Sequence, residues 1–165
     1  EPESRAGRMA VGTGGGGGSG GATAARYLSE GACVMLADIN EEALKVARDT
    51  LVQRFGADVV GAVTMNVTDE TAVATAFAET AVEFGGVDIL VSNAGIASSA
   101  PVEDTTLDLW NRNMDILSTG YFLVGREAFR LMRIQDMGGA IVFVASKNGL
   151  AASPTASAYC TAKAR

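Results

Sequence analysis

The sequence predicts an α/β fold: an open, doubly wound parallel sheet of about five strands with helices on both faces, three layers in all. Three observations carry this. Short apolar runs alternate with longer amphipathic ones along the 165 residues. Four of the five strand candidates are near-continuous apolar runs, as strands covered on both faces require. A glycine-rich turn stands between the first strand and the first helix, a place where a compact domain has no use for a flexible linker.

In chain order, strands are expected at residues 8–12, 32–38, 58–65, 87–92 and 140–146, and helices at 18–30, 41–55, 69–84 and 107–137. The last helix is expected to end early, at the Gly138-Gly139 punctuation. At 48% hydrophobic and 19% charged, the chain has apolar surface for one buried core, so residues 1–165 read as one domain, with 1–7 a leader or linker remnant. It opens on Glu1 rather than Met and stops at Arg165 in what reads as the first turns of a helix, the pattern of a piece of something longer.

Composition also excludes function classes. A net charge of -6 and the lack of any basic run argue against nucleic acid, whose binding rests on clustered Lys and Arg. No apolar stretch of about 18 residues is present to span a bilayer, and no charged-then-apolar leader, so a cytoplasmic protein that does not bind membranes is expected. Cys33 and Cys160 read as free thiols. The chain has no histidine, which removes Ser-His and Cys-His nucleophile pairs and most catalytic metal sites. No metal site is expected, and acid/base chemistry must come from carboxylates, Lys, Tyr or Cys.

The run "TGGGGGSGG", residues 13–21, has the composition of a disordered linker. Its place says otherwise, because the residues that follow, "ATAARYL", are helix-forming. A helix N-terminus presents unpaired N–H groups and a partial positive charge, and glycines let a pyrophosphate approach the backbone. Asp38 ends the second strand about 20 residues further on, where a dinucleotide fold puts the acid that binds the adenosine ribose hydroxyls. Asp38 could instead cap the following helix, with Asn40 the competing cap. A carboxylate there would repel a 2'-phosphate, which favours NAD over NADP. Near the C-terminus Tyr159 and Lys163 stand four apart and share a helix face, with Ser146 thirteen residues upstream at a strand end. Taken singly, the Tyr/Lys pair could be a solvated face and Ser146 a turn cap.

Taken together these residues resemble the short-chain dehydrogenase/reductase family over nearly the whole chain. Thr13-Gly14-x-x-x-Gly18-x-Gly20 is similar to its cofactor motif, with Ser19 where Ile is usual. "VSNAG" is similar to its Asn-Asn-Ala-Gly strand, with Ser92 for the first Asn. "MNVTD" resembles its Asp-Val adenine contact, with Asn66 for Asp. Ser146, Tyr159 and Lys163 match its catalytic residues in type and spacing. The resemblance implies a Rossmann-type domain, here C-terminally truncated, with NAD held by Gly14, Gly18, Ser19, Gly20, Asp38, Ile39, Asn66, Val67, Asn93, Ala94, Gly95, Tyr159 and Lys163. It implies hydride transfer between nicotinamide and a small alcohol or carbonyl substrate. Tyr159 would exchange the hydroxyl proton, Ser146 would hold the substrate oxygen, and Lys163 would also bond the nicotinamide ribose. A free tyrosine ionises near pH 10, so working near neutrality costs about 4 kcal/mol. One ammonium about 4 Å away at an effective dielectric of about 20 supplies around that much.

Several features depart from the family pattern. Leu117 falls where the family has a water-holding Asn, and Asn113, one turn earlier, could substitute only through an extra water. Gly15, Gly16 and Gly17 fill positions where other residues are allowed, each costing about 0.5–1 kcal/mol relative to Ala, so the loop is expected to be mobile without cofactor. The rest of the family's Tyr/Lys helix and two further strands do not appear in this sequence, so an exposed edge on the fifth strand and a marginally stable, poorly active chain are expected. A non-catalytic nucleotide-binding fragment is therefore the competing expectation. The segment from Gly95 to Phe129 resembles the dehydrogenase half of bifunctional rhamnulose-1-phosphate aldolase/alcohol dehydrogenase proteins, which handle lactaldehyde. Family members commonly pair through the long helix, so a homo-oligomer is expected of the full-length protein.

Overall fold

A computed structural model describes residues 6–164. Five strands form one parallel sheet in the order β3-β2-β1-β4-β5: β1 Met9–Thr13, β2 Cys33–Asp38, β3 Val60–Thr64, β4 Ile89–Ser92 and β5 Ala140–Phe143. The chain winds outward from β1 to β3, returns to the other side of β1 for β4, and ends on β5. The carboxyl ends of β1 and β4 therefore flank the point where strand order reverses, which is where open α/β sheets bind ligands. The expected leader remnant at 1–7 lies, for its first five residues, outside the described ones.

Alternation along each strand builds two cores. Met9, Val11, Met35, Ala37 and Leu90 pack on one face with Val73 and Phe77 of α3 (Glu70–Phe84) and the helix after β4. Ala10, Val34, Leu36, Ile89 and Val91 pack on the other with Leu28 of α1 (Gly18–Ser29) and Leu44 and Leu51 of α2 (Glu41–Phe55). Coverage of both faces is why these strands read as unbroken apolar runs.

Local chemistry moves several boundaries. Asn40 caps α2, its side chain accepting the Ala43 N–H at 3.0 Å, so Asp38 is released from capping. Asp69 is the cap of α3 rather than its first residue, accepting N–H groups of Thr71 and Ala72. After Gly56, at φ 98°, residues Ala57–Val59 make a 3-10 turn, so β3 begins two residues later than the apolar run suggests.

The long helix after β4 is continuous but not uniform. α4 (Leu107–Met114) passes into a π turn over Asp115–Thr119 and then α5 (Gly120–Gln135), with helical dihedrals kept at both joins. The extra residue keeps Asn113, Leu117, Gly120 and Tyr121 all buried. The helix stops at Asp136, φ 53°, just before the expected Gly138-Gly139 breaker. β5 stops three residues short of Ser146 and lies at the sheet edge, with Val142 46%, Phe143 47% and Val144 38% exposed, as an uncovered fifth strand should be. The short α6, Ser157–Lys163, closes the described chain.

Candidate functional site

The glycine turn is built on the ends of β1 and β2. Gly14 turns the chain at φ +69°, and the Gly17 N–H donates back to its carbonyl at 3.1 Å. The Gly15 N–H donates to the Ala37 carbonyl and the Gly16 N–H to Asp38 Oδ2 at 2.9 Å, tying the loop to β2. This corrects the reading of Gly15 and Gly16 as filler. A Cβ on Gly15 would lie 2.9 Å from Leu36 Cβ, and one on Gly16 3.0 Å from the Leu44 nitrogen. A Cβ on Gly20 would collide with the Gly14 carbonyl oxygen, so α1 can start this close to β1 only at a glycine. Gly17, Gly18 and Gly21 face room, and nothing lies within 4 Å of a Cβ built on Gly18. No side chain caps α1 and no acidic residue occupies its first turn.

Thr13, fully buried at the end of β1, joins this turn to the loop after β4. Its Oγ1 accepts the N–H groups of Asn93 and Ala94, both at 2.9 Å, and its carbonyl accepts from Asn93 Nδ2 at 3.2 Å. A Cβ on Gly14 would lie 2.9 Å from that same Asn93 Nδ2. The two loops are thus packed backbone to backbone.

Two adjoining clefts open on these loops and share Gly14, Asp38, Gly95 and Ile96. The first is lined by Gly14, Gly18, Ser19, Gly20, Asp38, Asn93, Gly95, Tyr159 and Lys163, together with Leu117 and Val144. The second is lined by Ile39, Asn66, Val67 and Ala94, together with Arg112 and Ile116. Sequence positions from 14 to 163 therefore meet along one continuous groove.

Ser146 is not among the lining residues, although its neighbour Ala145 is. Its Oγ accepts the Asn148 N–H at 3.2 Å and caps a short 3-10 turn over Lys147–Gly149, the bland role weighed for it above. Asn66 uses its Oδ1 in a local turn, accepting from the Thr68 N–H and hydroxyl. Leu117 is fully buried and reaches the groove wall, where a Cβ on Gly95 would touch its Cδ2 at 3.2 Å. Asn113 does not replace the missing Asn. Also fully buried, it donates to the Leu109 carbonyl and accepts from Ser98, which uses its side chain on its own helix and on the loop after β4.

Lys163 carries an arrangement that spacing alone does not reveal. Its Nζ donates to Tyr121 Oη at 2.9 Å and to the Val144 carbonyl at 2.8 Å. Tyr121 and Val144 lie 42 and 19 residues away, beyond any local pattern. Elsewhere, burial pushes the Cys33 thiol above its ordinary pKa. Among the described residues no group of three or more His, Cys, Asp or Glu gathers to hold a metal ion, and no described helix is long and apolar enough to cross a membrane.

The groove fits a dinucleotide. The open space over Gly18 at an uncapped helix start suits a pyrophosphate, and Asp38 lies at the join of the two clefts, where a ribose would sit. Comparison with known proteins agrees with the class. Residues 8–165 match the short chain dehydrogenase family model, and the chain belongs to that family. It is 46% identical over 164 residues to an uncharacterized oxidoreductase, YuxG, of Bacillus subtilis, covering 99% of this chain and 24% of that protein. It is 38% identical to a 2-dehydro-3-deoxy-L-rhamnonate dehydrogenase (NAD(+)) of a Sphingomonas species, covering 96% of this chain and 61% of that one. An NADP-dependent (R)-specific alcohol dehydrogenase of Lentilactobacillus kefiri is 34% identical, with 95% and 61% covered. The crystal structure of a short chain dehydrogenase from Mycobacterium smegmatis superposes with a TM-score of 0.93 at 37% identity, over 97% of this chain and 67% of that one. The chain thus spans a quarter to under two thirds of the length of these curated relatives. Family and fold together define a domain of the short chain dehydrogenase class.

Proposed function

We propose that this chain carries the cofactor half and the Tyr/Lys pair of an NAD-dependent dehydrogenase acting on a small alcohol or carbonyl compound. The observation that carries the reading is the convergence of the glycine turn, Asp38, Tyr159 and Lys163 on one groove. The bound dinucleotide supplies the hydride donor or acceptor at its nicotinamide ring. Gly14, Gly18, Ser19 and Gly20 receive the pyrophosphate, and Asp38 accepts from the adenosine ribose hydroxyls. Ile39, Asn66 and Val67 line the adenine side, and Asn93, Ala94 and Gly95 line the middle of the groove. Tyr159 takes the hydroxyl proton as an alcohol is oxidised, or returns it to a carbonyl, and Lys163, which lines the same groove, bonds the nicotinamide ribose. Ser146 donates its hydroxyl hydrogen to the substrate oxygen, one lone pair of its Oγ being engaged by the Asn148 N–H.

The preference for NAD over NADP rests on the Asp38 carboxylate, since relatives of both kinds exist. Lactaldehyde or a related small hydroxy-aldehyde is the substrate class, and the whole protein is of the bifunctional aldolase/dehydrogenase kind. Both follow from the resemblance of the segment after β4, and the size of the Bacillus subtilis relative, of which this chain matches 24%, is compatible with them. Two free thiols suit a reducing cytoplasm, and Phe122 and Phe129, 60% and 59% exposed on α5, supply the apolar face for self-pairing of the full-length protein.

Leu117 and the capped Ser146 favour a second reading, a nucleotide-binding fragment without turnover of its own. Calorimetric titration with NADH and NADPH, together with Tyr159→Phe, separates the two. The enzyme reading expects NADH tightest and a Tyr159→Phe variant that holds NADH within about twofold while turnover falls by roughly 100-fold or more. Tightest binding of NADPH overturns the role of Asp38, and unchanged turnover in the variant overturns that of Tyr159.

A further inference from the structure

We propose that Tyr121 is a positioning residue for Lys163, holding its ammonium against the end of β5; this rests on the reading that Lys163 serves the cofactor and Tyr159. Tyr121 is 2% exposed, in the first turn of α5 directly after the π turn. Its ring stacks on Phe143 of β5 at 5.7 Å between centroids, which fixes the hydroxyl over the strand end. The hydroxyl donates to the Val144 carbonyl at 3.1 Å and accepts from Lys163 Nζ at 2.9 Å, and Nζ donates to the same carbonyl at 2.8 Å. The ammonium also lies 4.6 Å from the centre of the Tyr121 ring. Val144 is itself anchored to the sheet through its N–H to the Ser92 carbonyl at 3.0 Å. Lys163 stands at the end of a seven-residue helix on a flexible four-carbon stem, so the sheet, through Tyr121 and Val144, is what fixes the charge.

Donor counting sharpens the role. An ammonium has three N–H groups, and Tyr121 and Val144 take two of them, so most of its donor capacity is committed to the sheet end. The Tyr121 hydrogen points to a peptide carbonyl, which does not hand a proton on. Tyr121 therefore orients the charge and does not relay protons.

The chain has three lysines, and Lys45 and Lys147 are exposed. In 15N-lysine-labelled protein the tethered Lys163 ammonium exchanges slowly with water and gives a 1H–15N cross-peak near pH 6, assigned by Lys45→Arg and Lys147→Arg. Tyr121→Phe keeps the ring and is expected to abolish or shift that cross-peak and to weaken NADH binding roughly tenfold, the loss of one hydrogen bond to a charged group. An unmoved cross-peak, or NADH affinity unchanged in the variant, overturns the proposal. Should the variant fail to fold, the native protein still decides, because a Lys163 signal as fast-exchanging as those of Lys45 and Lys147 overturns it equally. Native protein that shows the protected signal yet binds no NADH defeats the dehydrogenase reading and leaves the tether standing.

Discussion

Replacing Asp38 with Asn probes the groove at the point where its two clefts join. Both carboxylate oxygens already hold backbone: Oδ2 accepts the Gly16 N–H at 2.9 Å and Oδ1 the Asn40 N–H at 3.0 Å. An asparagine offers one acceptor oxygen, so its NH2 must face whichever N–H the oxygen leaves. Either amide orientation loses one charge-assisted bond, worth about 1.5–3 kcal/mol. Asp38 is half-buried, so solvent recovers part of this and about 2 kcal/mol is the working figure for the stability of the turn; losing the charged acceptor of the ribose hydroxyls is of the same order, roughly 30-fold in NADH affinity. If the carboxylate also receives the ribose hydroxyls, NADH suffers the whole loss. NADPH, whose 2'-phosphate gains from removal of the charge, suffers less. Calorimetric dissociation constants for both dinucleotides, with thermal melts as a check on folding, measure the difference. NADH affinity within twofold of wild type refutes the coupling of Asp38 to the groove. Equal weakening of both dinucleotides refutes the ribose contact and leaves Asp38 as a brace for the glycine turn.

Five further outcomes follow from the same structure. Gly17 has φ -87° and ψ 164°, with only the Gly14 oxygen near a Cβ, at 3.4 Å, so Gly17→Ala should stabilise by about 0.4–1 kcal/mol in denaturant melts. Gly15→Ala, pressed against Leu36, should destabilise by about 1–3 kcal/mol, and Gly18→Ala should keep its stability while losing NADH binding because the methyl fills the open space. Cys33, its thiol pKa raised by burial, carries less thiolate than free cysteine at pH 8, so iodoacetamide should alkylate it more slowly than glutathione; a faster rate contradicts the burial effect. The uncovered edge strand β5 should drive association of the isolated chain, and Val142→Lys should reduce light scattering at equal concentration without lowering the melting midpoint.

Much of the fold and part of the site were legible because their signals are local. The alternation of apolar runs and amphipathic segments, the turn placed between β1 and α1, and Tyr159 four residues before Lys163 are each contained in a short window. Their order alone brings them to the carboxyl ends of the strands. The boundaries that moved did so for equally local reasons, in the Asn40 and Asp69 caps and the left-handed Gly56, where side-chain hydrogen bonds and backbone sterics outweigh apolar content.

What the sequence by itself determined, then, is the layered parallel architecture and the meeting of the glycine turn, Asp38, Tyr159 and Lys163 along one groove, though not the exclusion of Ser146 from its lining or the part taken by Arg112 and Val144. Only the tertiary structure decided which glycines are compulsory, since Gly15, Gly16 and Gly20 are held by close approach of Leu36, Leu44 and Gly14 while Gly17 and Gly18 look out on space. It also decided that Asp38 braces the turn, that Asn113 is spent on Ser98 and Leu109, that Ser146 caps a turn, and that Lys163 is tied to Tyr121. Propensity and periodicity describe a residue's near neighbours along the chain. The Thr13–Asn93 bonds span 80 residues and the Lys163–Tyr121 bond 42, distances over which only the folded packing says which groups meet.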